Sequence, residues 1–227
     1  MRNVLIAGGL LCLVPGLLSA QMTETWDDAG LRENGWVYFG PSGPTPVSWA
    51  AEGTGGYIYA DLSDSARWPD QSAMDFYPAY CFTPVDLLHH NTIRILVKDL
   101  SVGAPLQLYG GSLQYWMGQE VLVNGAWKST YYAFNKPLNV GADWTHTLLN
   151  LTTLPNYWSL IYDDQGKSPA DVMVSGINMH GFRIFGGTQD PVGTLGFDYF
   201  ENIPEPSSLM ALASLIAGLP LIRRNRL

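Results

Sequence analysis

Cysteine is nearly missing from this chain: of 227 residues only Cys12 and Cys81 carry a thiol. Cys12 falls inside the apolar run Val4 to Leu18, which reads as a removable N-terminal signal, so the mature part is expected to keep one cysteine and to form no intramolecular disulfide. Stability must come from a packed core, and about 180 mature residues are enough for one sizeable domain. The surroundings of Cys81, Pro78-Ala79-Tyr80-Cys81-Phe82, read as those of a buried small hydrophobe rather than of a thiol that pairs two chains.

Positive charge is equally scarce. Removing Arg2, Arg223, Arg224 and Arg226 from the 12 Lys and Arg, and Glu205 from the 20 Asp and Glu, leaves 8 basic against 19 acidic residues between 21 and 203. A surplus of that sign disfavours nucleic acid and anionic lipid as partners. Catalytic motifs are missing too. There is no His-Glu-x-x-His zinc motif, no Gly-x-Ser-x-Gly elbow and no cysteine pair for a metal. Gly166-Lys167-Ser168 ends like a phosphate loop, but Ile161 stands where its first glycine belongs. Asp198 and Glu201 are the nearest thing to a glycosidase carboxylate pair, and their odd offset on one strand predicts opposite faces. His89, His90, His146 and His180 show no metal-ligand spacing and read as surface or satisfied core residues. No enzyme is expected.

What is present begins at the two ends. Arg2, the apolar run Val4 to Leu18 and the small-residue site Leu18-Ser19-Ala20 make residues 1–20 a signal peptide, so the export machinery is a partner. At the other end stand Pro204-Glu205-Pro206, then Ser207 to Ile222 with three serines as the only polar side chains, then Arg223, Arg224 and Arg226. The prolines stop any helix from running out of the globular part. A helix over 207–222 rises roughly 24 Å, slightly short of a ~30 Å hydrocarbon core, and the arginines hold its far end in the cytoplasm.

That order of parts resembles the PEP-CTERM sorting signal of Gram-negative bacteria, the alternative being an ordinary tail-anchor helix. The resemblance implies recognition by an exosortase, an integral membrane enzyme, with cleavage near Pro204, Glu205 and Pro206. The chain would be held in the inner membrane by residues 203–227 before processing and delivered afterwards to the cell surface or extracellular matrix.

The middle carries all eight Trp, all twelve Tyr and all eight Phe. Alternation predicts strands at Tyr57 to Leu62, Asn91 to Lys98, Leu106 to Tyr109 and Ser112 to Trp116, with further strands at Trp144 to Asn150, Phe182 to Phe185 and Leu195 to Phe200. Glu120 to Val123 and Ala126 to Phe134 flank Asn124-Gly125, a type I′ hairpin signal. Ser168-Pro169-Ala170-Asp171 opens the one expected helix, which Gly176 or Gly181 closes. Short strands between Gly, Pro, Asn and Asp clusters predict an all-β, antiparallel two-sheet sandwich of the jelly-roll kind over 21–202, as one domain.

The glycine and aromatic segments Gly35-Trp36-Val37, Gly55-Gly56-Tyr57, Tyr109-Gly110-Gly111, Ala142-Asp143-Trp144, Phe182-Arg183-Ile184-Phe185-Gly186-Gly187 and Gly196-Phe197-Asp198-Tyr199-Phe200 look like the laminin IV type (laminin B) domain. Tyr199 stands where that family has Asn. The resemblance implies a jelly roll related to carbohydrate-binding and cell-surface modules, without catalysis.

Two kinds of site suit such a sandwich. Asp27, Asp28, Asp61 and Asp198 lie at expected strand ends, where carboxylates hold a structural calcium ion; solvated surface acid is the plainer reading, and no other cofactor is indicated. Trp116, Trp127, Tyr131 and Trp144, at alternating positions, are expected to pack in the core. Trp68, Tyr157 and Trp158 lie in turn-rich sequence and are the expected stacking platform for sugar rings. The reading that follows is an exported, non-catalytic, adhesive or glycan-binding protein of the extracellular polysaccharide or biofilm. Its alternatives are a glycan-active hydrolase and a structural matrix protein without a ligand.

Overall fold

The structure is a computed structural model that describes residues 23–26, 36–40, 43–53, 55–62, 73–78 and 85–203. The signal peptide, the tail from Pro204, and Asp27, Asp28, Trp68 and Cys81 lie outside the described residues. Among the described residues no helix is long and apolar enough to cross a membrane.

The strands are β1 (Thr23–Glu24), β2 (Trp36–Gly40), β3 (Gly43–Pro46), β4 (Ser48–Glu52), β5 (Gly55–Asp61), β6 (Ala73–Pro78), β7 (Thr92–Asp99), β8 (Gly111–Val123), β9 (Ala126–Pro137), β10 (Thr145–Asn150), β11 (Trp158–Asp163), β12 (Met179–Gly186) and β13 (Thr194–Ile203). They form a six-stranded sheet of order β10-β7-β13-β5-β4, with β1 beside β13, and a seven-stranded sheet of order β11-β9-β8-β12-β6-β2-β3. Every named pairing is antiparallel. From β5 to β8 each successive strand changes sheet, so the chain winds around the core in the manner of a jelly roll.

The helix α1 (Pro169–Ser175) forms where the sequence places it. The Ser168 hydroxyl accepts from the Asp171 amide while the Asp171 carboxylate accepts from the Ser168 amide, and Gly176, at φ 81°, ends the helix. Val172 and Met173 face the core.

Three expectations shift. Leu106 to Tyr109 is not a strand: Gln107 makes one bridge to Val192, and Tyr109 and Gly110 take positive φ in a turn that brings the Gly111 amide to the Leu108 carbonyl at 2.8 Å. The stretch from Ser112 and the first arm of the hairpin are one strand, β8. The segment around Pro155 is a single turn of 3-10 helix leading into β11, an edge strand whose outward residues hide the alternation by which a strand is recognised.

Between the sheets Ile58, Ile93, Ile95, Val97, Leu113, Met117 and Leu149 interleave with aromatic rings. Phe182 stacks on Trp36 at 5.9 Å and on Phe197 at 5.1 Å, and Phe200 lies edge-on to Phe182 at 5.4 Å. Phe197 and Phe200 both point inward, three positions apart, because a register shift at Tyr199, φ 45°, inserts a bulge between them.

Candidate aromatic face on the seven-stranded sheet

Alternation along β8 decides which side chains leave the core. Leu113, Tyr115 and Met117 point in, so Gln114, Trp116, Gly118 and Glu120 point out. The strand pairings carry this outer face across the sheet. Trp116 faces Ala133, Gly118 faces Tyr131, and Tyr131 faces Tyr162 on β11. On the other side Gln114 lies opposite Arg183.

A band of aromatic rings results. Trp116 meets Tyr131 edge-on at 5.6 Å, and Tyr131 meets Tyr162 at 6.3 Å with a tilt of 39°. Trp116 is buried, Tyr131 half-buried and Tyr162 51% exposed, so accessibility rises toward the sheet edge. Polar groups flank the rings. The Tyr131 hydroxyl donates to Glu120 Oε1, and Ser159 Oγ donates to Asn135 Oδ1 at 2.6 Å. Opposite Gln114, Arg183 is only 2% exposed and its guanidinium lies 5.4 Å from the centre of the Phe185 ring. Gln114 Oε1 is buried and has no hydrogen-bond partner among the described residues.

The structure redistributes the aromatics. Trp158 is 6% exposed, donates its indole N–H to the Thr152 carbonyl at 2.6 Å and belongs to the core cluster. A ring so enclosed offers no face to a sugar, which corrects its placement in the stacking platform. Tyr157 is exposed and lies over Phe134 at 6.4 Å. Of the four expected core aromatics only Trp116 is buried. Trp127 is 63% exposed, and Tyr131 and Trp144 are half-buried on outer faces. Period-2 alternation marks which residues share a face but does not say which face is inside, and that is the signal the sequence lacked for Tyr131 and Tyr162.

On the six-stranded sheet Trp144 donates to Glu52 Oε2 at 2.7 Å, meets Tyr57 at 5.3 Å and has the Lys98 ammonium 5.6 Å from its ring centre. Burial, together with the charge of Glu52 and the neighbouring Tyr59, raises the Tyr57 hydroxyl above its ordinary value. These contacts brace the ring.

The acids are dispersed. Asp61 pairs in register with Thr194, four positions along β13 from Asp198, which at about 3.3 Å per residue separates them by roughly 13 Å. One ion cannot bridge that gap, so those two carboxylates do not share a calcium site. Among the described residues no group of three His, Cys, Asp or Glu is placed to hold a metal.

Asp198 and Glu201 share the outer face after all, because the bulge at Tyr199 resets the alternation. Glu201 is committed there to Arg94 at 3.0 Å and to the Tyr199 hydroxyl at 2.6 Å. Other carboxylates are shifted toward ionisation. Burial raises Asp86 and Asp99, but hydrogen bonds from His89 and from Ser101 and Leu106 outweigh it. In Asp163 and Asp171 the bonds from Thr130 and Ser168 lead. A glycosidase acid needs the opposite displacement.

No family model matches the chain, and no curated protein matches it. Among solved structures it is similar to the family 11 carbohydrate-binding module of a cellulosomal cellulase of Clostridium thermocellum, at 13% identity over 82% of this chain and 97% of that one, with a TM-score of 0.47. A family 11 module from Clostridium thermocellum in complex with a beta-1,3-1,4-mixed-linked tetrasaccharide gives 14% identity, coverage of 82% and 98%, and a TM-score of 0.48. The likeness lies in overall architecture, and no ligand follows from it.

Proposed function

We propose that this chain is an exported, non-catalytic protein that binds extracellular polysaccharide through the outer face of its seven-stranded sheet. The observation that carries the reading is the accessible pair Tyr131 and Tyr162, backed by the buried ring of Trp116 and flanked by Glu120, Asn135 and Ser159. Sugar rings present apolar C–H faces and a periphery of hydroxyls. Aromatic rings beside carboxylate, amide and hydroxyl groups match both.

The ends of the sequence supply the address. The signal peptide passes the chain to the export machinery, and the PEP-CTERM tail hands it to an exosortase in the inner membrane for release to the surface or matrix. An acidic domain with few basic residues suits a neutral glycan better than a polyanion.

A glycan array probed with the full-length protein in mild detergent tests the reading. Binding to one glycan class that falls about tenfold in Tyr162→Ala supports it, since the loss of one stacking ring is worth about 1–1.5 kcal/mol. A folded parent that binds no glycan would move the protein to the structural matrix class.

A further inference from the structure

The two longest strands overrun their neighbours. On β8 the pairing with β12 ends at Gly118 opposite Met179, and Asn178 closes the ladder by holding both backbone groups of Glu120 with its side-chain amide, each at 2.8 Å. On β9 the pairing with β11 ends at Thr130, and Asp164 closes that side by accepting from the Ser129 amide at 2.6 Å. From Val121 to Lys128 the hairpin therefore continues as a two-stranded ribbon, three residues per arm beyond Glu120 and Ser129, or roughly 10 Å before the turn at Asn124 and Gly125.

This ribbon is apolar and exposed. Leu122 and Trp127 face each other across it at 59% and 63% exposure, and Val123 beside them is 45% exposed. No charged residue stands between Glu120 and Lys128, in a domain otherwise rich in acid. An isolated ribbon of this kind is marginal in water unless its side chains find another surface.

The path of the chain says which surface. β8 and β13 start at the same end of the sandwich, since Gly193, just before β13, lies against Leu106, just before β8. They run the same way. Phe200 packs on His180 at 5.4 Å and on Tyr115 at 6.3 Å, which sets the end of β13, at Ile203, near the level where the ribbon begins. The ribbon thus projects from the end of the sandwich at which the chain leaves for Pro204 and the apolar segment 207–222.

We propose that the hairpin tip, Leu122, Val123 and Trp127, sits in the interface of the bilayer in which the C-terminal segment is anchored, holding the sandwich against that membrane until the tail is processed. Tryptophan and aliphatic side chains suit the headgroup boundary, and an uncharged tip avoids the repulsion that anionic lipid would exert on the rest of the domain. The inference rests on the reading of the tail as a membrane anchor.

The test reconstitutes the full-length protein into phosphatidylcholine vesicles containing brominated lipid, separates bound protein by flotation and reads tryptophan quenching. The tail holds no tryptophan, so all quenching comes from the domain. The expected result is a floating parent whose quenching falls by half or more in Trp127→Phe and is unchanged in Trp144→Phe. A floating protein quenched equally in parent and Trp127→Phe overturns the hairpin contact and leaves the anchor intact. Failure to float contradicts the anchor and the hairpin contact with it. If Leu122→Asp instead dissolves a dimer while lipid quenching stays as in the parent, the tip pairs with a second copy and the proposal falls.

Discussion

Tyr131 lies across Gly118, its partner in the β8–β9 ladder: a Cβ at position 118 would stand 2.1 Å from Tyr131 Cδ1. The missing side chain is what lets the ring cross the strand between Trp116 and Tyr162. Gly118→Ala should therefore lift Tyr131 off the sheet, costing about 1–3 kcal/mol in urea unfolding and weakening glycan binding as far as Tyr131→Ala does. Binding unchanged in Gly118→Ala would separate the ring's position from recognition.

His180 is fully enclosed, with both ring nitrogens lacking a hydrogen-bond partner among the described residues, and it stacks on Phe200. Burial lowers its pKa from 6.5 to about 3. The unfolded chain takes up a proton below about 6.5 that the folded one refuses, so stability is full above that value and is lost as pH falls toward 3. At pH 5 this one group costs the parent about 2 kcal/mol relative to pH 7. In His180→Phe the fall between those two pH values should be smaller by that amount, measured by denaturant unfolding. Equal slopes in parent and variant would contradict it.

Tyr157 and Trp158 are neighbours in opposite environments, one exposed and one buried. Trp158→Phe removes a buried hydrogen bond to Thr152 and should lower stability by about 1–2 kcal/mol while leaving glycan affinity alone. Tyr157→Ala, at an exposed ring, should change neither by a measurable amount. Thermal melts and a binding isotherm on each variant decide the point.

The cap of α1 is the cheapest element to test. Ser168→Ala deletes the hydroxyl that receives the Asp171 amide and should cost about 1 kcal/mol in unfolding free energy. A neutral substitution would mean that the burial of Val172 and Met173 alone holds the helix.

Local chemistry was legible in the sequence wherever a short-range rule governed it. Asn124-Gly125 announced the hairpin and Ser168-Pro169 the helix, because turn and cap geometry depend on adjacent residues. The ladder order was not legible. Nothing in Trp158 to Asp163 says that it lies beside β9, and only that pairing brings Tyr162 next to Tyr131. Bulges were invisible for the same reason: the reset at Tyr199, which moves Glu201 to the face of Asp198, depends on both neighbouring strands. Trp127 looked like a core residue because its strand alternates, and it is exposed because that strand outruns the sheet.

Retardation of the full-length protein in detergent gels cast with the polysaccharide of the producing cells separates binding by the seven-stranded face from binding elsewhere. Parent, Tyr131→Ala with Tyr162→Ala, and Tyr57→Ala from the opposite sheet should be run side by side. Polysaccharide binding by the seven-stranded face predicts strong retardation of the parent and of Tyr57→Ala, and free migration of the double variant. Equal retardation of all three would contradict it.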